Sequence, residues 1–254
     1  MRAAILATAV LAGLAAAQTA RPEATPFPTS CTSVSSARFP YKLAENWSMT
    51  KLLGGLQQPR TIVFDSLGQM LVLGASSGIS LHTFGSDGCV GSTTSLLQNR
   101  GLNHGLALSP DGKTLYASSA TTLWSWDYDA ASKSLSNQKT IVRGMSSSGH
   151  VTRTVQVVPN APNLVILQVG SNSNWDYQSG NPATARACVK VFDVTKAPAN
   201  GYNYPTEGQM LGYGLRNEVG LTFDPNGMVW GVENSGDVSA MPPTDQLGSV
   251  SGIC

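Results

Sequence analysis

Apolar and polar positions in this chain alternate over short runs, and each run is broken by a turn built from Pro, Asp, Asn and Gly. One unit recurs. Pro59-Arg60-Thr61-Ile62-Val63-Phe64-Asp65 passes through a turn at Leu67-Gly68 into Met70-Leu71-Val72-Leu73. Gly105 to Ser109 passes through Pro110-Asp111-Gly112 into Thr114 to Ala117. Arg153 to Val158 passes through a turn at 159–163 into Leu164 to Leu167, and Val219 to Phe223 passes through Pro225-Asn226-Gly227 into Met228 to Trp230. The units start about 46, 48 and 66 residues apart. The first two intervals suit four-stranded propeller blades. The third predicts an insertion, with the polar stretch 171–184 as its candidate. Trp124 to Tyr128 and Val189 to Asp193 read as further strands of the blades. A β-sandwich is the alternative, but it gives no reason for the same strand–turn–strand unit to recur. The expectation is an all-β chain, a β-propeller with about four blades over residues 41–237.

Composition agrees: 41 % hydrophobic residues, only 12 % charged, 26 Gly and 14 Pro suit short strands and tight turns. A net charge of +1 without basic runs predicts neither a nucleic-acid nor a membrane partner. Met1-Arg2 followed by an apolar stretch ending at Ala15-Ala16-Ala17 reads as a signal peptide over residues 1–17, so the protein is expected to be secreted and extracellular. Residues 18–40 read as an exposed lead-in. Cys31, Cys89, Cys188 and Cys254 predict one or two disulfides, with the pairing open. Asn46-Trp47-Ser48 is an N-glycosylation sequon.

Three segments carry a resemblance. They are Gly149-His150-Val151-Thr152-Arg153-Thr154 with Gly170-Ser171, Gly214-Leu215-Arg216-Asn217-Glu218-Val219-Gly220-Leu221, and Glu233-Asn234-Ser235-Gly236-Asp237. Together they resemble the fungal pyranose dehydrogenases and sorbosone dehydrogenases that use pyrroloquinoline quinone (PQQ), relatives of soluble quinoprotein glucose dehydrogenase. The resemblance implies a six-bladed propeller, PQQ and Ca²⁺ as cofactors, and a mono- or oligosaccharide substrate. It also implies an extracellular electron acceptor such as a haem protein or a quinone. The tail at 238–254 departs from the pattern, so a truncated enzyme with reduced or no activity is expected.

Sugar oxidation removes a hydride from carbon and a proton from its hydroxyl. A neutral histidine suits the proton, and the resemblance assigns that role to His150. Arg216 and Asn217 offer planar donors for the cofactor's carboxylates and carbonyls, and Arg216 would also stabilise charge developing on the reacting oxygen. Arg100 is a weaker cofactor contact. The backbone carbonyls of Ser235 and Gly236 would hold the calcium ion. His104 reads as a cavity or packing residue, and Glu218 and Asp224 as turn and surface charges. Two alternatives remain at this point. One is a Ca²⁺-dependent propeller lactonase or esterase drawing on Asp65, Asn103 and Asn217; the other is a non-catalytic carbohydrate-binding propeller fragment.

Overall fold

A computed structural model of the chain describes residues 28–32 and 34–235. The expected signal peptide, Gly236, Asp237, Cys254 and the divergent tail lie outside the described residues. Four sheets follow one another, antiparallel except for one short added edge strand. The first contains β1 (Pro59–Phe64), β2 (Met70–Gly74), β3 (Gly78–Phe84) and β4 (Val90–Leu97). The second contains β5 (Leu102–Leu108), β6 (Thr114–Ser119), β7 (Leu123–Asp129) and β8 (Ser134–Arg143). The third is built from β9 (Val155–Val158), β10 (Ala161–Val169), β11 (Cys188–Asp193) and, after the excursion containing β12 (Tyr202–Asn203), β13 (Gln209–Tyr213). A two-stranded sheet of β14 (Glu218–Phe223) and β15 (Val229–Glu233) ends the described chain. The described residues thus form three full propeller blades and the inner half of a fourth.

The recurring turn has a physical cause. Asp65 Oδ1 accepts from the backbone N–H of Leu67 and of Gln69, at 2.9 and 2.8 Å. Asp224 Oδ1 does the same for Asn226 and Met228, both at 2.9 Å. An aspartate that satisfies two turn amides fixes the hairpin locally. In the second blade Ser109 and Asp111 share this task.

Apolar side chains pack between sheets. Leu71, Leu73 and Leu81 meet Leu106, Leu115 and Trp126 between the first two blades. Ala107, Leu123 and Val142 meet Val155, Val165 and Leu167 between the second and third. Ile166 and Val189 meet Leu215 and Leu221 at the start of the fourth. At the two ends of the arc, Ile62 and Phe64 on β1 and Trp230 and Val232 on β15 are exposed among the described residues.

Polar bonds link the innermost strands. Thr61 Oγ1 donates to His104 O at 2.6 Å, Thr154 Oγ1 to Glu218 O at 2.6 Å, and Gln156 Nε2 to Leu221 O at 2.9 Å. Asn103 Nδ2 donates to Val151 O at 2.6 Å, and Ser118 Oγ joins Gly105 N to Arg153 O. Partner numbers rise together from 154 to 156 and from 218 to 221, and likewise along β5 and β9, so neighbouring inner strands run in the same direction. Every inner strand therefore starts at one face of the arc.

Two connections add to this frame. The expected insertion is the 170–187 loop between β10 and β11. The second was not read from the sequence: the 194–208 excursion lays β12 parallel to β8 on the outer edge of the neighbouring blade. Lys190 is buried beneath it, donating to Tyr204 O at 2.7 Å and Glu207 O at 3.1 Å. A disulfide joins Cys31 to Cys89 and ties the lead-in to the β3–β4 turn, while Cys188 is buried without a disulfide partner among the described residues. Asn46 of the sequon is exposed. No helix among the described residues is long and apolar enough to cross a membrane.

Candidate functional site

The segments just before β9 and β14 bring His150, Arg216 and Asn217 to one place. Gly170 and Ser171, at the end of β10, join them. His150 N donates to Ser171 O at 2.9 Å, and Ser171 N donates to Arg216 O at 2.8 Å. Gly170 lies between the two: a Cβ there would meet His150 Cβ at 2.7 Å and Arg216 O at 2.9 Å, so only glycine fits. Thr152 Oγ1 donates to Asn217 Oδ1 at 2.9 Å, which adds the buried Asn217 to the same network.

The hydrogen bonds of His150 define its tautomer. Its Nδ1 lies 2.9 Å from Ser171 Oγ and 3.2 Å from Ser171 O. The Ser171 hydroxyl donates its only hydrogen to Ser173 O at 2.8 Å. Both Ser171 oxygens therefore act as acceptors toward the ring, which places the proton on Nδ1 and a free lone pair on Nε2. Sequence reading named the Gly-Ser pair but gave Ser171 no task.

The loop bearing His150 is clasped by Arg153, whose side chain is fully buried. Its Nε donates to Ala120 O at 2.8 Å, and its Nη1 to His150 O and Thr152 O at 2.7 and 2.8 Å; Nη2 donates to Ser146 O. No carboxylate pairs with it among the described residues. Burial pushes its pKa down to about 10. Gly149 closes the turn with φ +67°, and a Cβ there would run into the backbone of Asn172.

Arg216 spends three N–H groups on protein: Nε on Asn174 O at 3.3 Å, Nη1 on Asn234 O at 2.6 Å and Nη2 on Asn174 Oδ1 at 2.6 Å. A guanidinium has five N–H donors, so two are left. The Asn217 side-chain N–H₂ has no partner among the described residues. Asn234 N donates to Asn217 O at 3.0 Å, so the strand leading to Ser235 runs beside Arg216 and Asn217. Ser235 is exposed and Gly236 lies outside the described residues. Arg100 sits in the turn before β5, exposed and outside this hydrogen-bond network.

Arg60, which sequence reading did not single out, occupies the matching place at the start of β1, close enough to His104 to oppose its protonation. His104 is a packing residue. Its Nε2 donates to Val219 O at 3.1 Å, its Nδ1 has no partner among the described residues, and burial holds its pKa below the ordinary histidine value. Asp224 is the turn charge expected, but Glu218 is not a surface group. It is buried, its Oε2 has no partner among the described residues, and burial followed by the Glu233 carboxylate raises its pKa to about 7. A β-bulge between Glu218 and Gly220 turns the side chain inward over Gly231.

The lactonase alternative fails on geometry. Asp65 is consumed by its turn, by Gln69 Nε2 and by Tyr128 Oη at 2.6 Å. It also follows its inner strand, whereas Asn103 and Asn217 lie at the opposite, starting ends. No three His, Cys, Asp or Glu side chains converge on a metal position among the described residues.

Comparison with known proteins agrees with this frame. The chain is 39 % identical over 209 residues to a pyrroloquinoline quinone-dependent pyranose dehydrogenase of Coprinopsis cinerea, covering 82 % of this chain and 29 % of that protein. It is 35 % identical to a pyrroloquinoline quinone-dependent sugar dehydrogenase of Hypocrea jecorina, covering 76 % of this chain and 47 % of the relative. The holo form of the Coprinopsis cinerea pyranose dehydrogenase PQQ domain superposes with a TM-score of 0.80 at 39 % identity, over 82 % of this chain and 51 % of that one. The calcium structure of a Trichoderma reesei family AA12 protein gives 0.69 at 34 % identity, over 73 % and 48 %. The chain thus spans about half or less of the length of these relatives. The TrAA12-like family profile matches residues 41–245, and the chain belongs to that family.

Proposed function

We propose that this chain carries the His–Arg–Asn part of a PQQ-dependent sugar dehydrogenase site and acts on pyranoses outside the cell. The observation that carries the reading is the single network joining His150, Ser171, Arg216, Asn217 and Thr152. The donor set fits the cofactor: two unspent N–H groups of Arg216 and the free amide of Asn217 suit a flat, anionic, oxygen-rich molecule. The carbonyls of Ser235 and Gly236 would hold its calcium ion, as hard oxygen ligands do. PQQ, when bound, supplies a two-electron acceptor for hydride.

The chain's own residues do the rest. His150 Nε2 takes the hydroxyl proton of the sugar as the hydride leaves carbon, while Ser171 keeps Nδ1 protonated and the ring in place. Arg216 stabilises charge that builds on the acceptor oxygen. Arg153 holds the His150 loop rigid, which such proton transfer requires. An extracellular haem protein or quinone would serve as the electron acceptor. The Cys31–Cys89 bridge accords with an oxidising, secreted setting, and Asn46 is a glycosylation site there.

The test is an absorbance titration of the 254-residue chain with PQQ in the presence of Ca²⁺, followed by dye-coupled oxidation of monosaccharides. Wild type should perturb the quinone spectrum, Arg216→Met should weaken binding by at least tenfold, and His150→Ala should bind PQQ but lose turnover. An unperturbed spectrum with wild type, or equal binding by Arg216→Met, rejects the reading.

A further inference from the structure

The 170–187 loop has a property that the chemistry above leaves unused. It presents two aromatic rings to solvent, Trp175 at 37 % and Tyr177 at 84 % relative exposure. Lone exposed apolar residues are ordinary, but these two sit beside the candidate site. Arg216 Nε donates to the Asn174 carbonyl, and that carbonyl belongs to the peptide bond joining Asn174 to Trp175. Arg216 Nη2 donates to the same residue's Oδ1 at 2.6 Å. Of the other exposed aromatics among the described residues, Tyr213 ends β13 of the third blade, and Phe39, Tyr41, Trp47, Phe64 and Trp230 lie on the lead-in or at the ends of the arc.

The loop is also stiff. Asp176, between the two rings in sequence, accepts from Asn172 N at 3.0 Å and from Gln178 N at 3.1 Å. It receives both prongs of Arg186, at 2.6 and 2.9 Å. Ser173 Oγ donates to Trp175 O at 2.8 Å, and Ser179 Oγ donates to Asp176 O at 2.6 Å. A backbone fixed in this way displays its aromatic side chains with little backbone entropy left to lose. The side-chain amides of Asn174 and Gln178 keep N–H donors with no partner among the described residues.

A rigid apolar plate fringed by free amide donors matches one chemistry closely: a pyranose ring, with a C–H face for the plate and hydroxyl edges for the amides. We propose that this loop is an outer saccharide subsite in which Trp175 stacks on the pyranose next to the one being oxidised, with Tyr177 at its margin. The ligand is an oligosaccharide whose terminal ring reaches His150. This deepens, and rests on, the reading of His150 and Arg216 as the oxidation site.

Calorimetric titration of the 254-residue chain with D-glucose and with cellotetraose, without PQQ, tests the subsite apart from the redox chemistry. Trp175→Ala should weaken cellotetraose by about tenfold, the size of one aromatic stacking contact with its buried area, and leave D-glucose unchanged. Trp175→Phe should restore most of the loss. Far-UV circular dichroism checks that these surface variants are folded. Equal cellotetraose affinity in wild type and Trp175→Ala, or no saccharide binding by wild type, overturns the proposal. Dye-coupled oxidation separates the two readings. Binding through Trp175 without any PQQ-dependent turnover keeps the subsite and removes the redox assignment. Turnover of D-glucose with Trp175→Ala binding cellotetraose normally does the reverse.

Discussion

Arg153→Met changes one side chain that holds four carbonyls, those of Ala120, Ser146, His150 and Thr152. Two opposing quantities decide the outcome. Keeping a guanidinium in a fully buried position costs the fold: the drop in pKa to about 10 corresponds to about 3 kcal/mol, which Met would no longer incur. Against this, four partly buried carbonyls lose their donor, at up to about 2 kcal/mol each if they stay dry. Partial rehydration of the His150 loop lowers that sum, leaving a net destabilisation of about 4 kcal/mol. For a domain of this size that is a fall in Tm of about 10 °C. Urea unfolding followed by near-ultraviolet circular dichroism reads the change, with Arg153→Lys as the variant that keeps charge but loses the planar fork. A loss below about 1 kcal/mol for Arg153→Met would refute the idea that this cation organises the His150 loop.

Glu218, raised to about 7, binds a proton in the fold that the unfolded chain releases near pH 4.5. Its contribution to stability is therefore full below pH 4.5 and is lost as pH rises through 7; Glu218→Gln should flatten that slope, worth at most about 3 kcal/mol, in denaturation curves across the range. The Cys31–Cys89 bridge spans 58 residues, so reduction should cost about 4 kcal/mol by the loop-entropy argument, read as a lower urea midpoint with reductant. Ser171→Ala removes the nearer acceptor of His150 Nδ1 and leaves the residue-171 carbonyl at 3.2 Å, so nitrogen NMR of the imidazole should show a minor Nε2–H population beside a still dominant Nδ1–H form, where wild type shows the Nδ1–H form alone.

The repeat was legible because each hairpin is set locally. Asp65 and Asp224 organise their own turns, and the alternating apolar positions of β2, β6 and β10 are the ones that pack between blades. The insertion between β10 and β11 was legible for the same reason, as a polar stretch that breaks the period. β12 was not, since two residues carry no periodicity and their partner lies in another blade. Glu218 was misread because its burial depends on a bulge opposite Val232 and Glu233 and on the space over Gly231, features of pairing rather than of composition. At the site, motif residues could be named, but the hydrogen-bond directions that give them work could not. Ser171 acquires a role only when Ser173 takes its proton, and Arg153 only when four carbonyls surround it.

A crystal structure of the chain grown with PQQ and Ca²⁺ bears most directly on the shared role of His150, Arg216 and Asn217. A flat three-ring density should lie against the two unspent Arg216 N–H groups and the Asn217 amide, with His150 Nε2 turned toward its open face. Density lodged away from Arg216, or an imidazole whose Nε2 is turned away from the ring, would contradict it.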